Sequence, residues 1–363
     1  MLLYAVLCFL ITLISCIAII RLSRKKKFLI KEEVHRGPQK VHTIPTPRLG
    51  GIGLFLALTT SVIVAYLRQE NYFFQFLNIY IPSVIVFLTG LVEDLKGNLH
   101  PFLRLFLFSL AGIIAFFLGN VQIIRIDISF FDHLLTFKWL SLIFTIVAIA
   151  GLINAINIID GFNGLASMIG FSILLAIAYV GYKYGDYFIA TLCVILSFSL
   201  FGFFLLNYPF GLIFLGDSGA YLTGYFIACL VILLVYRHSE VSAWFALTVN
   251  SYPVYETLFS IYRRKLRKRP ATKPDALHLH TLLYKIVVKK IFGVDNPLYK
   301  NPAVSPLLWI LNLWVIIPAI LFYNNGILLA LTFFSFCIIY TFSYYKIIKL
   351  KVPRWYFEQK KKI

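Results

Sequence analysis

Acidic residues are scarce in this chain. Over 363 residues, 15 Asp and Glu stand against 34 Lys and Arg, and all charged residues together make up 13%. Soluble domains carry about 25%, so the shortage excludes an ordinary water-facing surface. Cysteine is sparse as well. Cys8, Cys16, Cys193, Cys229 and Cys337 all sit within apolar runs, with neither CxxC nor metal-ligand spacing, and nothing beyond packing follows for them. The run at 2–20 lacks a basic leader and a small-residue cleavage site, so it reads as a retained helix rather than a signal peptide.

Apolar residues fill the space. They make up 60% of the chain, and the mean hydropathy is +0.84. This predicts an all-α polytopic membrane protein. Eleven runs approach spanning length, near 2–20, 50–67, 78–93, 103–119, 138–156, 165–182, 187–206, 219–236, 242–261, 304–322 and 326–345. The formal charge of +19 is read as topology, not as a nucleic-acid footprint. With the N-terminus outside, about 29 of the 34 Lys and Arg fall in the cytoplasm, as the positive-inside rule requires. Residues 1–363 are then one integral-membrane catalytic domain. Its cytoplasmic loops lie near 21–49, 94–103, 157–164, 207–218 and 262–303, and its cytoplasmic tail is 346–363.

Five polar clusters interrupt the apolar pattern: "HTIPTPRLGG" (42–51), "EDLKGN" (93–98), "NAINIIDGFNG" (154–164), "FLGDSGA" (214–220) and "DALHLHTLLYK" (275–285). The orientation set by charge places all five on the cytoplasmic face, which predicts a single site there. The outer loops carry only ordinary turn residues beyond their few charges. Ionisable residues at membrane depth are costly and functional by default, so Asp94, its neighbour Glu93, Asp160 and Asp217 are the acid candidates; each alone would also read as a helix cap or a solvated loop acid. Carboxylates with Asn, and no Cys, form a hard oxygen set suited to Mg²⁺, with Mn²⁺ as an alternative. His278 and His280, in a basic segment, suit anion recognition or lipid headgroups. His42 and Arg48 precede a helix entered through Gly50-Gly51, a start suited to phosphate.

These motifs resemble the polyprenyl-phosphate N-acetylhexosamine-1-phosphate transferases, the group of the MraY and WecA enzymes. The resemblance covers roughly 36–285. "NAINIIDGFNGLA" is similar to the family's NxxNxxDGxxGL, "FLGDSGA" to FxGDxGS, "IPTPRLGG" to its first cytoplasmic loop and "HLH" to HxHH. The span count and the HLH motif resemble WecA more than MraY. The departures are Glu93 in place of the first Asp of a pair, Thr281 in place of a His, and Asn163 where many members have Asp.

The resemblance implies transfer of N-acetylhexosamine-1-phosphate from a UDP-N-acetylhexosamine to undecaprenyl phosphate in the bacterial inner membrane, starting an O-antigen, capsule or similar glycan. It implies Asp217 and Asn157 as Mg²⁺ ligands, and Asp94 with Glu93 to orient or deprotonate the lipid phosphate. Asp160 and Asn163 would serve the uridine side, with Asn154 supporting the loop. His278, His280, Arg48 and His42 would bind phosphate or sugar. Membrane lipid is the expected surrounding, nucleic acid is not a partner, and a homodimer stays open. Two rivals fit less well. A CDP-alcohol phosphotransferase needs an Arg and further Asp after "DG", which are missing here. A transporter needs polar groups near the midplane and repeated broken helices.

Overall fold

The structure, a computed structural model, describes residues 1–25, 46–267, 277–291, 293–294 and 296–349. His42 and the start of the 275–285 cluster lie outside the described residues. Among those described, every regular element is helical: α1 (Leu2–Lys25), α2 (Gly50–Leu67), α3 (Phe73–Lys96), α4 (Pro101–Leu118), α5 (Ser129–Leu135), α6 (Lys138–Ile159), α7 (Leu165–Lys183), α8 (Tyr187–Asn207), α9 (Gly216–Arg237), α10 (Ala243–Val249), α11 (Ser251–Leu266), α12 (Leu279–Leu282), α13 (Pro297–Lys300), α14 (Ser305–Leu321) and α15 (Gly326–Lys349). A π-helical stretch, Leu283–Ile291, continues α12.

Ten helices among the described residues are long and apolar enough to cross a bilayer. They match ten of the eleven apolar runs. The eleventh, 242–261, is not one helix. It breaks at Asn250 into α10 and α11, neither of which is long enough alone. Pro253 has no N–H to continue the ladder. The Asn250 backbone N–H turns to Thr248 O, and its side chain takes over Ala246 O at 2.9 Å. The pair still runs from one end of the bundle to the other. Ser242 N donates to Tyr323 O, between α14 and α15, while Glu256 of α11 reaches His278.

α9 is the axis of the bundle, and its apolar stretch is wholly buried. Gly216, Ala220, Gly224 and Ala228 repeat every four residues, so small side chains line one stripe and neighbouring backbones approach closely. A Cβ at Gly224 would stand 2.7 Å from Ile153 Cα of α6. Deep in the bundle, the buried Tyr225 hydroxyl donates to Ile79 O of α3 at 3.0 Å.

The described parts of all five polar clusters share one end of the bundle. The opposite end is less bland than its sequence suggests. Arg125 pairs with Asp127 and donates to the carbonyls of Val235, His238, Ser239 and Val241. Arg237 pairs with Asp186 at 3.1 Å. These ion pairs are spent on closing loops: Asp127 caps α10 through Ser242 Oγ and Ala243 N, and Asp186 caps α8.

Candidate active site

The site is built around the first turn of α9. Gly216 has φ +75°, and a Cβ there would collide with Arg48 O and the Asp94 carboxylate, so glycine alone fits. The turn is anchored from α3. Asp94 Oδ1 accepts from Asp217 N at 2.8 Å, and Oδ2 accepts from Ser218 N at 2.9 Å and Ser218 Oγ at 2.6 Å. A carboxylate on the free amides of a helix start is favourable through both hydrogen bonds and the helix dipole. Asp94 is 8% exposed, and both its oxygens are engaged by α9.

The backbone of Asp217 is thereby held, and its side chain is free to meet other helices. Its Oδ1 accepts from Asn157 Nδ2 of α6 at 2.9 Å and lies 3.6 Å from Arg48. Its Oδ2 accepts from the Tyr221 hydroxyl, one turn along α9, at 3.3 Å. Arg104 of α4 donates to that hydroxyl at 3.2 Å and stands 3.8 Å from Glu93. Glu93 also accepts from Leu99 N at 2.9 Å, closing the α3–α4 turn.

Arg48 is set by a backbone strap. Phe214 N donates to Pro47 O, Gly50 N to Phe214 O and Gly51 N to Leu215 O. This corrects one expectation: the Gly50 and Gly51 amides are occupied by carbonyls and do not present an open phosphate seat. The glycines are there because a Cβ at Gly51 would overlap the Gly219 backbone.

The "DGFNG" loop joins α6 to α7. Asp160 follows the last turn of α6, half-buried. Burial pushes its carboxyl up to about 7; Arg48 opposes this, while Asp217 and Asp94 add to it. Asn163 is buried at 5% exposure, and three of its polar groups hold the loop. Its N–H donates to Asn301 Oδ1, its Nδ2 to Pro209 O, and its carbonyl accepts from Ser305 Oγ. Gly164 N donates to Asn207 Oδ1. These contacts fix the loop and leave Asn163 Oδ1 without a hydrogen-bond partner among the described residues. Asn154 donates to Ala150 O within its own helix.

His280 packs against this loop. Its Nε2 lies 3.4 Å from where a Gly161 Cβ would stand, and its ring meets Phe162 edge-on at 5.4 Å. Burial drives its imidazole down to about 3, with His278 and Arg263 adding and Glu256 opposing. His278 stacks on it at 5.2 Å.

The structure thus joins Arg48, Glu93, Asp94, Asn157, Asp160 and Asp217 in one neighbourhood and sets the His pair beside the 160–164 loop. Sequence reasoning missed Arg104, Tyr221, Asn207 and Glu256. Glu256 and Arg104 carried a signal, each as a lone charge inside an apolar run. Tyr221 and Asn207 read as ordinary helical residues until the helices meet.

Among the described residues, ten helices of membrane-spanning length form the bundle, and acids, amides and cations gather at one end of it. The glycosyl transferase family 4 signature matches residues 76–235, which include Asp94, Asn157, Asp160 and Asp217. The chain is 28% identical over 279 residues to the probable undecaprenyl-phosphate N-acetylglucosaminyl 1-phosphate transferase of Bacillus subtilis, covering 76% of each protein. It is 27% identical to the undecaprenyl-phosphate alpha-N-acetylglucosaminyl 1-phosphate transferase of Thermotoga maritima, over 74% of this chain and 76% of the relative. It is also 28% identical to the phospho-N-acetylmuramoyl-pentapeptide-transferase of Staphylococcus carnosus, over 76% and 88% respectively. The chain is thus similar to polyprenyl-phosphate N-acetylhexosamine-1-phosphate transferases over about three quarters of its length. Relatives named for N-acetylglucosaminyl and for N-acetylmuramoyl-pentapeptide transfer match at similar identity.

Proposed function

We propose that the chain transfers N-acetylhexosamine-1-phosphate from a UDP-amino sugar to undecaprenyl phosphate. A lipid phosphate oxygen attacks the sugar-linked phosphorus, the bond from that phosphorus to the UMP oxygen breaks, and a lipid-linked sugar pyrophosphate remains. The observation that carries this reading is the convergence of Asp217, Asn157, Asp160 and Arg48 beside the anchored start of α9. Transfer between two phosphates demands positioning and charge neutralisation more than a strong base. A lipid phosphate is already largely ionised near neutral pH, which fits the geometry of Asp94: its oxygens are committed to α9, so its role is to hold Asp217 in place.

Asp217 and Asn157 are the proposed Mg²⁺ ligands. Among the described residues no group of three or more His, Cys, Asp or Glu side chains is gathered to hold a metal. Mg²⁺ needs no such cage, because one or two protein oxygens and substrate phosphates suffice. When bound, the ion would neutralise diphosphate charge. Arg48, 45% exposed at its side chain, would meet phosphate, and His278 would meet the nucleotide sugar. The HLH motif, with Thr281 in place of a further His, favours an amino sugar destined for a surface glycan other than peptidoglycan.

The reading places the site on the cytoplasmic face of the bacterial inner membrane, with the N-terminus outside and the C-terminus inside. The Lys and Arg asymmetry supports it. Tags after Arg269 and at the C-terminus are expected to be cytoplasmic, and a tag near Tyr184 periplasmic. Periplasmic labelling of the 263–300 segment would reverse the orientation. The reaction itself is tested with purified protein, undecaprenyl phosphate and a panel of UDP-amino sugars. UMP release that needs both substrates is expected; release indifferent to the lipid phosphate would defeat the reading.

A further inference from the structure

Glu256 lies in α11 outside the acid cluster and is 0% exposed. Both its oxygens are used. Oε1 faces His278 Nδ1 at 2.9 Å, and Oε2 accepts from the Tyr340 hydroxyl of α15 at 2.6 Å. A carboxylate buried this deeply is costly unless it is paired and hydrogen-bonded, and here the partners come from two other segments of the chain. Packing alone would be served by an apolar side chain at this position.

The contact has a direction. The two nitrogens of an imidazole lie on different sides of the ring, and a carboxylate on one of them fixes both tautomer and ring orientation. Glu256 on Nδ1 turns Nε2 of His278 away from the carboxylate. His278 stacks at 10° on His280, and His280 packs on Gly161, next to Asp160. A continuous line therefore runs from Tyr340 through Glu256 and the two imidazoles to the loop that carries Asp160.

We propose that Glu256 is a positioning residue of the active site. It holds the His278 ring with Nε2 presented to the nucleotide sugar, and Tyr340 steadies the carboxylate in turn. The proposal rests on the reading of His278 as a nucleotide-sugar contact.

The test is a double-mutant cycle on UMP release, with size-exclusion profiles for folding. E256Q keeps the shape but removes the charge. E256Q and H278Q are each expected to lower kcat/KM at least about tenfold, because a displaced contact group costs transition-state stabilisation. If Glu256 acts through His278, the double variant is no worse than the worse single one. Multiplying losses, or wild-type kinetics for E256Q, would overturn the proposal. Should E256Q fail to fold, Y340F in the wild-type and H278Q backgrounds repeats the cycle. A substrate-free readout separates this claim from the proposed reaction. In ¹⁵N-histidine spectra of the folded protein, His278 is expected to carry its proton on Nδ1, and a bare Nδ1 would overturn the dyad even if UMP release is as expected. Wild-type protein that releases no UMP with any UDP-amino sugar would instead defeat the reaction and leave the spectra to decide the dyad.

Discussion

Asp217→Asn is expected to cut turnover by about three orders of magnitude, or about 4 kcal/mol on the transition-state scale. The two Asp217 oxygens serve different partners: Oδ1 faces Asn157 and Arg48, and Oδ2 accepts from Tyr221. An amide replaces one acceptor by an NH₂ that would face another donor, and it removes the charge that pairs with Arg48 and would hold Mg²⁺. Folding is expected to survive, because the start of α9 hangs on Asp94 through backbone amides and Ser218, none of which the substitution removes. The check is steady-state UMP release over a Mg²⁺ series, with a melting curve for each protein. Wild-type activity should vanish in excess chelator. Near-normal turnover of the Asn variant would remove the metal role from Asp217.

The adjacent acids are expected to part company. Asp94→Asn should lose turnover on the order of a hundredfold or more, and stability by about 2–3 kcal/mol. Its two oxygens receive three donors at a buried helix start. An amide there turns an NH₂ toward groups that can only donate, or donate best, and removes the charge that the helix dipole favours. Glu93→Gln keeps an oxygen for Leu99 N and weakens only a 3.8 Å pairing with Arg104, so a loss of less than about tenfold is expected. Kinetics and melting temperatures of the two variants decide this. A larger loss for Glu93→Gln would reverse the roles, and an Asp94→Asn protein that melts like wild type would show that Asp94 is not the anchor of α9.

Much of the fold follows from run length, because lipid leaves the backbone no choice but to satisfy itself in helices. Ten apolar runs became ten spanning-length helices for that reason. The 242–261 run did not, since hydropathy does not register what Pro253 and Asn250 do to a hydrogen-bond ladder. Helix ends were also shifted. Glu93, Asp94 and Asn157 read as loop or boundary residues but sit in the last turns of α3 and α6, and Asp217 sits in the first turn of α9.

Within the site, the motif acids were legible because a charge in an apolar setting is conspicuous. Their duties were not. That Asp94 spends its oxygens on α9, that Asn163 spends its amide on Pro209, and that Gly50 and Gly51 spend their amides on residues 214 and 215 depends on which helices meet. Spacing along one chain carries no trace of such contacts, and the same holds for Tyr221, Arg104 and Tyr340.

The central claim is that the sugar-linked phosphate itself moves to the lipid. The most direct measurement uses a UDP-amino sugar labelled with ³²P at that phosphate, incubated with undecaprenyl phosphate, Mg²⁺ and the purified protein. The account predicts that the label enters the lipid fraction and that the nucleotide product is unlabelled UMP. Label retained in a UDP product, with sugar alone on the lipid, would contradict it, because the bond broken would then be the glycosidic one and not the pyrophosphate.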